Sequence, residues 1–324
     1  MNEVAENSSQ HSSELGRWTN WPWNLMYICQ GLLIGGLNLL ICLAVIRFPA
    51  LRSRKEYAIL AGQTFADGCN QLAYLCGASE TELLTALTGW QCVNTPHTLL
   101  WMFTDHAAFL MLAVISFDRL LAVSTPLQYI GWSTTYTMAL LAVAYSYSLL
   151  NGLIGWFLAF SNRSSDRGRL QIGCWDMMSI WESFPAYAMH YMFVGPVAAL
   201  LSVLLYMGTV ALYIKSRNKV APSLGNSQLK QDLKKQRQFT VTIGISSLCT
   251  FLFYIVPIVL AIYTEMNGID GVSLALFSMS NLNPLANVLI YPLRQSNIRK
   301  GVVSLICCKH MPEDLKMWTA LPVQ

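Results

Sequence analysis

The sequence predicts an all-α membrane protein, a bundle of seven transmembrane helices followed by a short cytoplasmic eighth helix. The first observation is composition: of 324 residues, 54% are hydrophobic and only 12% are charged, whereas soluble domains carry about a quarter charged residues. The second is that the apolar residues form seven runs of about 20 residues, the length of a helix that crosses a bilayer. The third is that basic residues concentrate in alternate loops.

The seven predicted spans form one membrane domain, residues 24–292. Each run is continuous and too long for the alternating strands of a membrane barrel. The predicted spans are 24–47, 57–78, 97–123, 135–160, 186–214, 238–264 and 272–292. The flanking segments are then an extracellular N-terminal tail, residues 1–23, and an amphipathic helix with a cytoplasmic tail, residues 293–324.

The basic residues predict the orientation at the plasma membrane. Most of the 21 Lys and Arg residues lie in or beside the first, third and fifth loops or the C-terminal tail, which are therefore cytoplasmic. The N-terminus is then outside and the C-terminus inside. The exceptions are Arg17, Arg163, Arg167 and Arg169. The net charge of +4 reflects this bias, so it does not indicate nucleic-acid binding.

This topology predicts how the outer segments are processed. Residues 1–23 lack the apolar stretch of a cleaved signal peptide, so the first span is expected to act as an uncleaved signal. Asn7 and Asn162 each begin an Asn-x-Ser sequon, and both fall outside the membrane. Both are therefore candidate glycosylation sites.

Two pairs of cysteines are candidates for covalent modification. Cys92 and Cys174 both face the oxidising exterior, which favours a disulfide between them. The alternatives are that Cys76 takes one of the two as its partner, or that both stay free. Cys307 and Cys308 follow an amphipathic stretch just inside the membrane, which makes them candidates for palmitoylation and contact with membrane lipids.

An acidic and a basic residue stand side by side at the end of the third span. Asp118 and Arg119 follow a run, 98–117, whose only ionisable residues are Asp105 and His106. A charge at membrane depth costs several kcal/mol. The pair is therefore expected at the cytoplasmic end of the span, where charges reach headgroups and water.

The residues around this pair carry a family resemblance. Ser116-Phe117-Asp118-Arg119-Leu120, followed by Pro126-Leu127-Gln128-Tyr129, resembles the S-x-D-R-Y and P-L-x-Y elements of rhodopsin-like (class A) G-protein-coupled receptors. The resemblance covers about residues 24–308. It implies a receptor that binds an extracellular ligand and activates a heterotrimeric G protein. Further matching residues occur in family order: Gly36, Leu37 and Asn38; Leu60, Ala61 and Asp67; Pro196; Phe251 and Pro257; Asn283, Pro284, Asn287 and Tyr291; and Leu293, Arg294, Ile298 and Arg299.

The departures from the family pattern resemble the serpentine chemoreceptors of nematodes. Leu120 replaces the tyrosine after the D-R pair, Val288 replaces the proline of N-P-x-x-Y, and Ile255 replaces a tryptophan in the sixth span. Arg237 stands where many relatives carry a glutamate that holds the D-R arginine. Because Arg237 cannot pair with Arg119, measurable basal activity is expected.

The resemblance implies a switch at the cytoplasmic end, formed by Asp118, Arg119, Asn287 and Tyr291. In that interpretation Asp118 holds Arg119 at rest, and activation releases Arg119 toward the G protein. The alternative is an interfacial anchor that switches nothing.

The resemblance also implies a polar network deep in the bundle that binds a sodium ion near Asp67. The alternative is a purely structural hydrogen-bond network. Ala108 stands where relatives often supply a hydroxyl to the ion. The predicted network is Asn38, Asp67, Asn283 and Asn287, and no other cofactor is expected.

Asp105 is the most distinctive candidate for ligand binding. It precedes Arg119 by 14 residues, about 3.9 helical turns, so both face the bundle interior. Trp101 lies one turn above Asp105 and occupies the position where relatives carry an amine-binding acid. The alternative is an Asp105 that pairs with His106 or His190 and is purely structural.

Aromatic residues line the predicted outer half and suit an apolar or a peptide ligand equally well. The ligand is therefore expected to be a chemosensory small molecule or a peptide. The ligand-binding candidates are Trp101, Asp105, His106 and Tyr254, and the wider aromatic set adds Phe103, Tyr187, Tyr191 and Phe253.

Three other functional classes fit less well. The absence of lysine from residues 272–292 excludes a retinal Schiff base. Paired catalytic groups and common hydrolase motifs are absent from the sequence, so an enzyme is not expected. A multi-span transporter of a small solute is the remaining alternative, but it would be expected to show internal repeats with broken spans at matching positions.

Overall fold

The computed structural model describes residues 24–81, 86–163, 170–172, 184–220, 227–267 and 273–308, and in these the predicted seven-helix bundle with an eighth helix is confirmed. The first five helices are α1 (Asn24–Arg47), α2 (Lys55–Thr81), α3 (Pro96–Ser124), α4 (Thr134–Asn162) and α5 (Pro185–Val220). α6 runs through Ser227–Thr250, Phe251–Ile255 and Val256–Met266, α7 comprises Ser273–Ser280 and Leu282–Arg294, and α8 is Ser296–Ile306. Short helices Pro49–Arg52, Gly89–Val93 and Pro126–Gly131 lie in the connections.

Five of the described helices are long and apolar enough to cross a membrane: Asn24–Arg47, Pro96–Ser124, Thr134–Asn162, Pro185–Lys215 and Arg237–Thr264. The predicted second and seventh spans lie outside this set. α2 carries Gln63, Asp67 and Gln71 at i, i+4 and i+8, and all three are buried, so a polar stripe lowers its hydropathy while facing the bundle. α7 is interrupted at Asn281. Pro284 lies in the first turn of the segment that follows, where a backbone N–H has no partner within the helix, so the proline costs no helical hydrogen bond.

α3 lies at the centre of the bundle and packs against α2, α4, α5 and α6. Large apolar side chains on the outer faces of α4 and α5 remain exposed, among them Val143 at 70%, Phe157 at 62% and Val197 at 58%. Such a surface is unfavourable in water and suits lipid. α8 packs back on α1, and Ile298 is buried in this contact. Gly301 of α8 also lies close to the short helix Pro49–Arg52, because a Cβ on Gly301 would be 2.7 Å from Leu51 Cδ1.

A π-helical turn, Phe251–Ile255, widens α6 just before Pro257. Such turns rotate the residues before them relative to those after them. Tyr254 is consequently buried, whereas Ile255, at the family's tryptophan position, is only half-buried. Phe251, matched to a family phenylalanine, is 41% exposed on the outer surface. The inward aromatic residue at this level is therefore Tyr254.

One small antiparallel sheet lies between the outer ends of the helices and was not predicted. β1 (Ala86–Thr88) pairs with β2 (Leu170–Ile172), with Ala86 opposite Ile172. β1 precedes α3 and β2 lies between α4 and α5. The sheet therefore joins two connections on the same side of the bundle.

Candidate functional site

Arg119 is completely buried near the C-terminal end of α3. Its Nη2 forms an ion pair with Asp118 Oδ2, and its Nε donates to the same oxygen at 3.0 Å. Arg119 Nη2 also donates to Tyr129 Oη at 2.7 Å, and Tyr129 Oη donates to Asp118 Oδ1 at 3.0 Å. A buried charge is stable only when it is paired and hydrogen-bonded in this way. The Asp118–Arg119 contact that the resemblance implies is present, and its switching role stays a prediction.

Tyr129 reaches this pair from the short helix Pro126–Gly131. Lys55 Nζ donates to the Tyr129 carbonyl oxygen and lies 3.7 Å from the centre of its ring. Burial raises the pKa of the Tyr129 hydroxyl, so the hydroxyl stays protonated and remains a donor to Asp118. Tyr129 therefore connects two cytoplasmic loops to the end of α3.

α6 contacts Arg119 through an aromatic ring rather than through an acid. The guanidinium carbon of Arg119 lies 4.6 Å from the centre of the Phe239 ring, a cation–π geometry. Arg237 is exposed, and its guanidinium carbon lies 5.4 Å from the ring of Tyr213 on α5. As expected, Arg237 does not pair with Arg119. Phe239 nevertheless covers Arg119 from α6, and the expected basal activity stays a prediction.

α6 and α7 are joined by the α6–α7 ladder, four side-chain contacts that Thr242, Ser246 and Thr250 of α6 make with α7 and with Gln295, directly after α7. Thr250 Oγ1 donates to Asn283 Oδ1 at 2.9 Å. Ser246 Oγ donates to Asn287 Oδ1 and lies 3.4 Å from Tyr291 Oη. Gln295 Nε2 donates to Thr242 Oγ1 at 3.0 Å. The structure therefore places Asn283, Asn287 and Tyr291 on one buried face of α7, as their spacing predicts.

The predicted polar network is only partly connected. Gln63 Nε2 donates to Asp67 Oδ1 at 2.8 Å, whereas Asn287 Nδ2 is buried without a hydrogen-bond partner. Asn38 Nδ2 instead donates to its own helix, to Ile34 O at 3.0 Å. Asn38 Oδ1 and Asp67 Oδ2 are buried without a hydrogen-bond partner. Two such oxygens fit a hard cation or a buried water.

Asp105 is surrounded by aromatic residues from four helices. Tyr74, Trp101, Tyr191 and Tyr254 lie within electrostatic range of its carboxylate, but Trp101 Nε1 and Tyr191 Oη are buried without a hydrogen-bond partner. Trp101, Asp105 and Tyr254 thus lie in the same part of the bundle, and their role in ligand binding stays a prediction. Tyr74 on α2 was not predicted.

The two histidines proposed as partners of Asp105 make other contacts. The His106 ring nitrogen Nε2 lies 3.0 Å from Asn151 Nδ2, and its ring packs edge-on against Tyr191 at 4.4 Å. His190 Nε2 lies 3.0 Å from Tyr147 Oη. Among the described residues neither histidine forms an ion pair with Asp105, so that structural alternative is wrong. His106 serves the contact between α3, α4 and α5 rather than the group around Asp105.

The predicted modification sites are only partly described. Cys92 is disulfide-bonded, whereas Cys76 is free, so both alternatives to an outer disulfide at Cys92 are wrong. Cys174 lies outside the described residues, and its pairing with Cys92 stays a prediction. Cys307 and Cys308 are exposed just after α8, and Asn162 is the last residue of α4. Asn7 and both terminal tails, 1–23 and 309–324, lie outside the described residues.

The sequence reasoning missed the partners on α6. Thr242, Ser246 and Thr250 recur every four residues, which places them on one helical face, and this signal matches the spacing on α7. Tyr129 was seen as part of a motif but given no role. Phe239 gave no local signal, because an apolar residue in a transmembrane helix is ordinary.

Comparison with known families gives an independent result. The family described as "7 transmembrane receptor (rhodopsin family)" matches residues 37–291. The match begins in α1 and ends at Tyr291 in α7, so it includes Asp67, the Asp118–Arg119 pair and the α7 face of the ladder. No curated protein matches the chain. Because the match covers most of the chain, and the helices follow the order that the family requires, the protein belongs to the rhodopsin family of seven-transmembrane receptors.

Proposed function

We propose that this receptor resides in the plasma membrane, binds an extracellular ligand and activates a heterotrimeric G protein through Arg119. The single observation that carries the proposal is the buried cluster of Asp118, Arg119 and Tyr129 beneath Phe239. Arg119 is held by the carboxylate of Asp118, the hydroxyl of Tyr129 and the ring of Phe239, which lies on α6. A movement of α6 can therefore release the arginine.

The proposed mechanism is a shift between two arrangements of the bundle. The described arrangement corresponds to the resting one, in which Arg119 is covered. A ligand that binds the other arrangement more tightly increases its population. Displacing α6 away from α3 would remove Phe239 from Arg119, and Arg119 would then be available to the G protein.

A cytoplasmic cavity supports this assignment of the G-protein side. It has a volume of about 380 Å³, and its walls include Arg54, Phe239, Gln295 and Asn297. Phe239 therefore borders both the cavity and Arg119. A movement of Phe239 would join the two.

The remaining assignments are further parts of the same proposal. We infer that Asp67 and Asn38 supply oxygens to a sodium ion that stabilises the resting arrangement. The N-terminus is placed outside and Cys92 is paired with Cys174, and these two assignments follow from the charge distribution and the family resemblance. A chemosensory role rests only on the likeness to nematode chemoreceptors.

The test must avoid leaving a buried charge unpaired. Arg119→Ala alone would leave the buried Asp118 unpaired, which costs about 3–5 kcal/mol. The double variant Asp118→Asn/Arg119→Ala removes both charges. We expect normal surface expression and loss of G-protein activation, measured as cAMP and calcium in cells.

The control is Asp118→Asn alone, which keeps Arg119 and should retain or increase activation. Undiminished activation by the double variant would contradict the proposal. Solute uptake that needs no G protein, and that survives the double substitution, would instead favour the transporter alternative.

A further inference from the structure

A pair of polar side chains lies on the outer surface of the bundle, between α4 and α5. Tyr147 Oη of α4 and His190 Nε2 of α5 are 3.0 Å apart and hydrogen-bonded. Both side chains are exposed, Tyr147 to 36%. Polar groups of membrane-spanning helices normally face the bundle interior, because hydrocarbon offers them no hydrogen bond. The Tyr147–His190 pair is therefore an exception that needs an explanation.

The exposed neighbours of the pair show that it faces lipid. Exposed residues recur along one side of α4 and of α5 at the three- and four-residue intervals of a helix face. Tyr147 and His190 each take one place in such an apolar stripe. The stripe of α4 is Val143, Tyr147, Leu150, Ile154 and Phe157, and that of α5 is His190, Phe193 and Val197.

The pair also lies far from the lipid headgroups. Tyr147 is in the middle of α4 (Thr134–Asn162), about 20 Å of helix from either end. The hydrocarbon core is about 30 Å thick, so its midplane is about 15 Å from each headgroup region. The headgroups of ordinary phospholipids therefore do not reach this pair.

α4 and α5 form a groove on either side of the pair. α3 packs closely against both helices, whereas α4 and α5 pack much less closely on each other. The described hydrogen bonds between them join side-chain tips: Tyr147 to His190, and Tyr187 Oη, which donates to Asn151 O at 3.1 Å. His106 of α3 closes the groove from within, since it is 1% exposed and its Nε2 lies 3.0 Å from Asn151 Nδ2.

The pair leaves one donor and one acceptor unused, whichever neutral tautomer His190 adopts. If Tyr147 donates to Nε2, the histidine proton is on Nδ1 and the tyrosine oxygen can still accept. If Nε2 donates to Tyr147, the tyrosine O–H is unused and Nδ1 can accept. Within the described part of the chain, neither side chain forms a second hydrogen bond. A hydroxyl group carries one donor and one acceptor, so it complements the pair in both cases.

We propose that the α4–α5 groove binds a membrane-soluble alcohol. Its hydroxyl is hydrogen-bonded to Tyr147 or His190, and its apolar body lies along the two stripes. An uncharged molecule with a single hydroxyl can carry that group to the middle of the bilayer, which a phospholipid headgroup cannot. The site lies on the outside of the bundle, apart from the inward-facing ligand-binding candidates, so this inference does not depend on the proposed function.

The experiment measures occupancy of the groove by photolabelling. The full chain is placed in nanodiscs, one receptor per disc, and irradiated with 1-dodecanol that carries a diazirine in its chain. The control probe is the corresponding dodecane, which lacks the hydroxyl. The alcohol should label residues 143–157 and 189–197 with saturable dependence on concentration, and excess unlabelled 1-dodecanol should compete. The hydrocarbon should label the lipid-facing surface without saturation.

Substitutions then locate the hydroxyl. Tyr147→Phe and His190→Phe each keep a ring and remove a hydrogen-bonding group. Each should weaken the saturable labelling about 2- to 10-fold, the range expected for loss of one hydrogen bond. Tyr263→Phe is the matched control, because Tyr263 is 61% exposed on α6, away from the groove, and its loss should leave the labelling unchanged.

Three results would overturn the proposal: labelling by the alcohol that does not saturate, labelling that equals that of the hydrocarbon, or labelling that both Phe variants retain in full. A pair that only joins α4 to α5 would give the second result, although both substitutions would lower thermal stability. Disulfide-linked dimers of a His190→Cys variant in cells would also overturn it, because a second copy of the chain would then cover the pair. None of these measurements uses a G protein, so failure of this site is distinguishable from failure of the proposed function.

Discussion

Replacing Phe239 by leucine should increase the basal activity of the receptor. Phe239 is 5% exposed and covers Arg119 at 4.6 Å, so leucine keeps an apolar side chain there but removes the ring face. The cation–π contact is made only while α6 lies against α3. Its loss therefore destabilises the resting arrangement and leaves the active one unchanged.

The size of the effect follows from the burial of the pair. A desolvated cation–π contact contributes about 2 kcal/mol, which corresponds to about a 30-fold change in an equilibrium constant. If the active arrangement is populated at about 1% in the wild type, the variant should reach roughly a quarter. A less desolvated contact of about 0.5 kcal/mol would give only about a twofold change.

The assay is ligand-free G-protein activation in membranes, normalised to receptor labelled at the cell surface. Phe239→Tyr is the control, because it keeps the ring and its hydroxyl can extend into the cavity that Phe239 borders. The leucine variant should exceed both wild type and the tyrosine variant. The argument fails if leucine and tyrosine give the same basal level as wild type at matched surface expression.

Three further sets of substitutions test other contacts. Tyr129→Phe removes the hydroxyl that is hydrogen-bonded to both Arg119 and Asp118. This substitution should raise basal activity by a smaller factor than Phe239→Leu. An unchanged basal activity would show that the hydroxyl does not restrain Arg119. Thr250→Val removes the ladder contact with Asn283, and Ser246→Ala removes those with Asn287 and Tyr291. Each should lower the free energy of unfolding by about 0.6 kcal/mol per contact, the typical value in membranes, whereas Thr264→Val, outside the ladder, should not. Cys92→Ser and Cys174→Ser should reduce surface delivery equally, with the double variant no worse than either single one; additive losses would show that the two cysteines do not pair.

The fold was predictable because its main determinants are local in the sequence. Run length, hydropathy and loop charge predicted seven spans and the eighth helix, and the polar residues of α7 were assigned to one face from their spacing alone. The break at Asn281 and the π-helical turn of α6 were not predicted. Both depend on how a proline-containing segment fits against its neighbours, as at Pro257.

The candidate site was less predictable because its contacts join residues distant in sequence. Asp105 and Trp101 were identified from their phase on α3, but Tyr74 was identified only once α2 was seen to pack beside them. Asp105 was predicted to have a histidine as an alternative partner, and the rotation of α3 instead directs His106 toward Asn151. The angular position of a residue around its helix axis predicts whether its side chain faces inward. It does not predict which inward-facing side chains contact one another.

α6 is the element through which the outer and cytoplasmic sites are connected. It places Tyr254 beside Asp105 and Phe239 over Arg119, 15 residues or about 22 Å apart along the helix. Between them Ser246 and Thr250 attach the same helix to α7 by side-chain hydrogen bonds, which are individually weak. The π-helical turn Phe251–Ile255 contains Tyr254 and begins directly after Thr250 of the ladder, and it interrupts the regular α-helical pattern there. In the proposed mechanism, a ligand group that displaced Tyr254 would act on the helix where its backbone is least regular, and the hydrogen bonds of the ladder would have to break before Phe239 left Arg119.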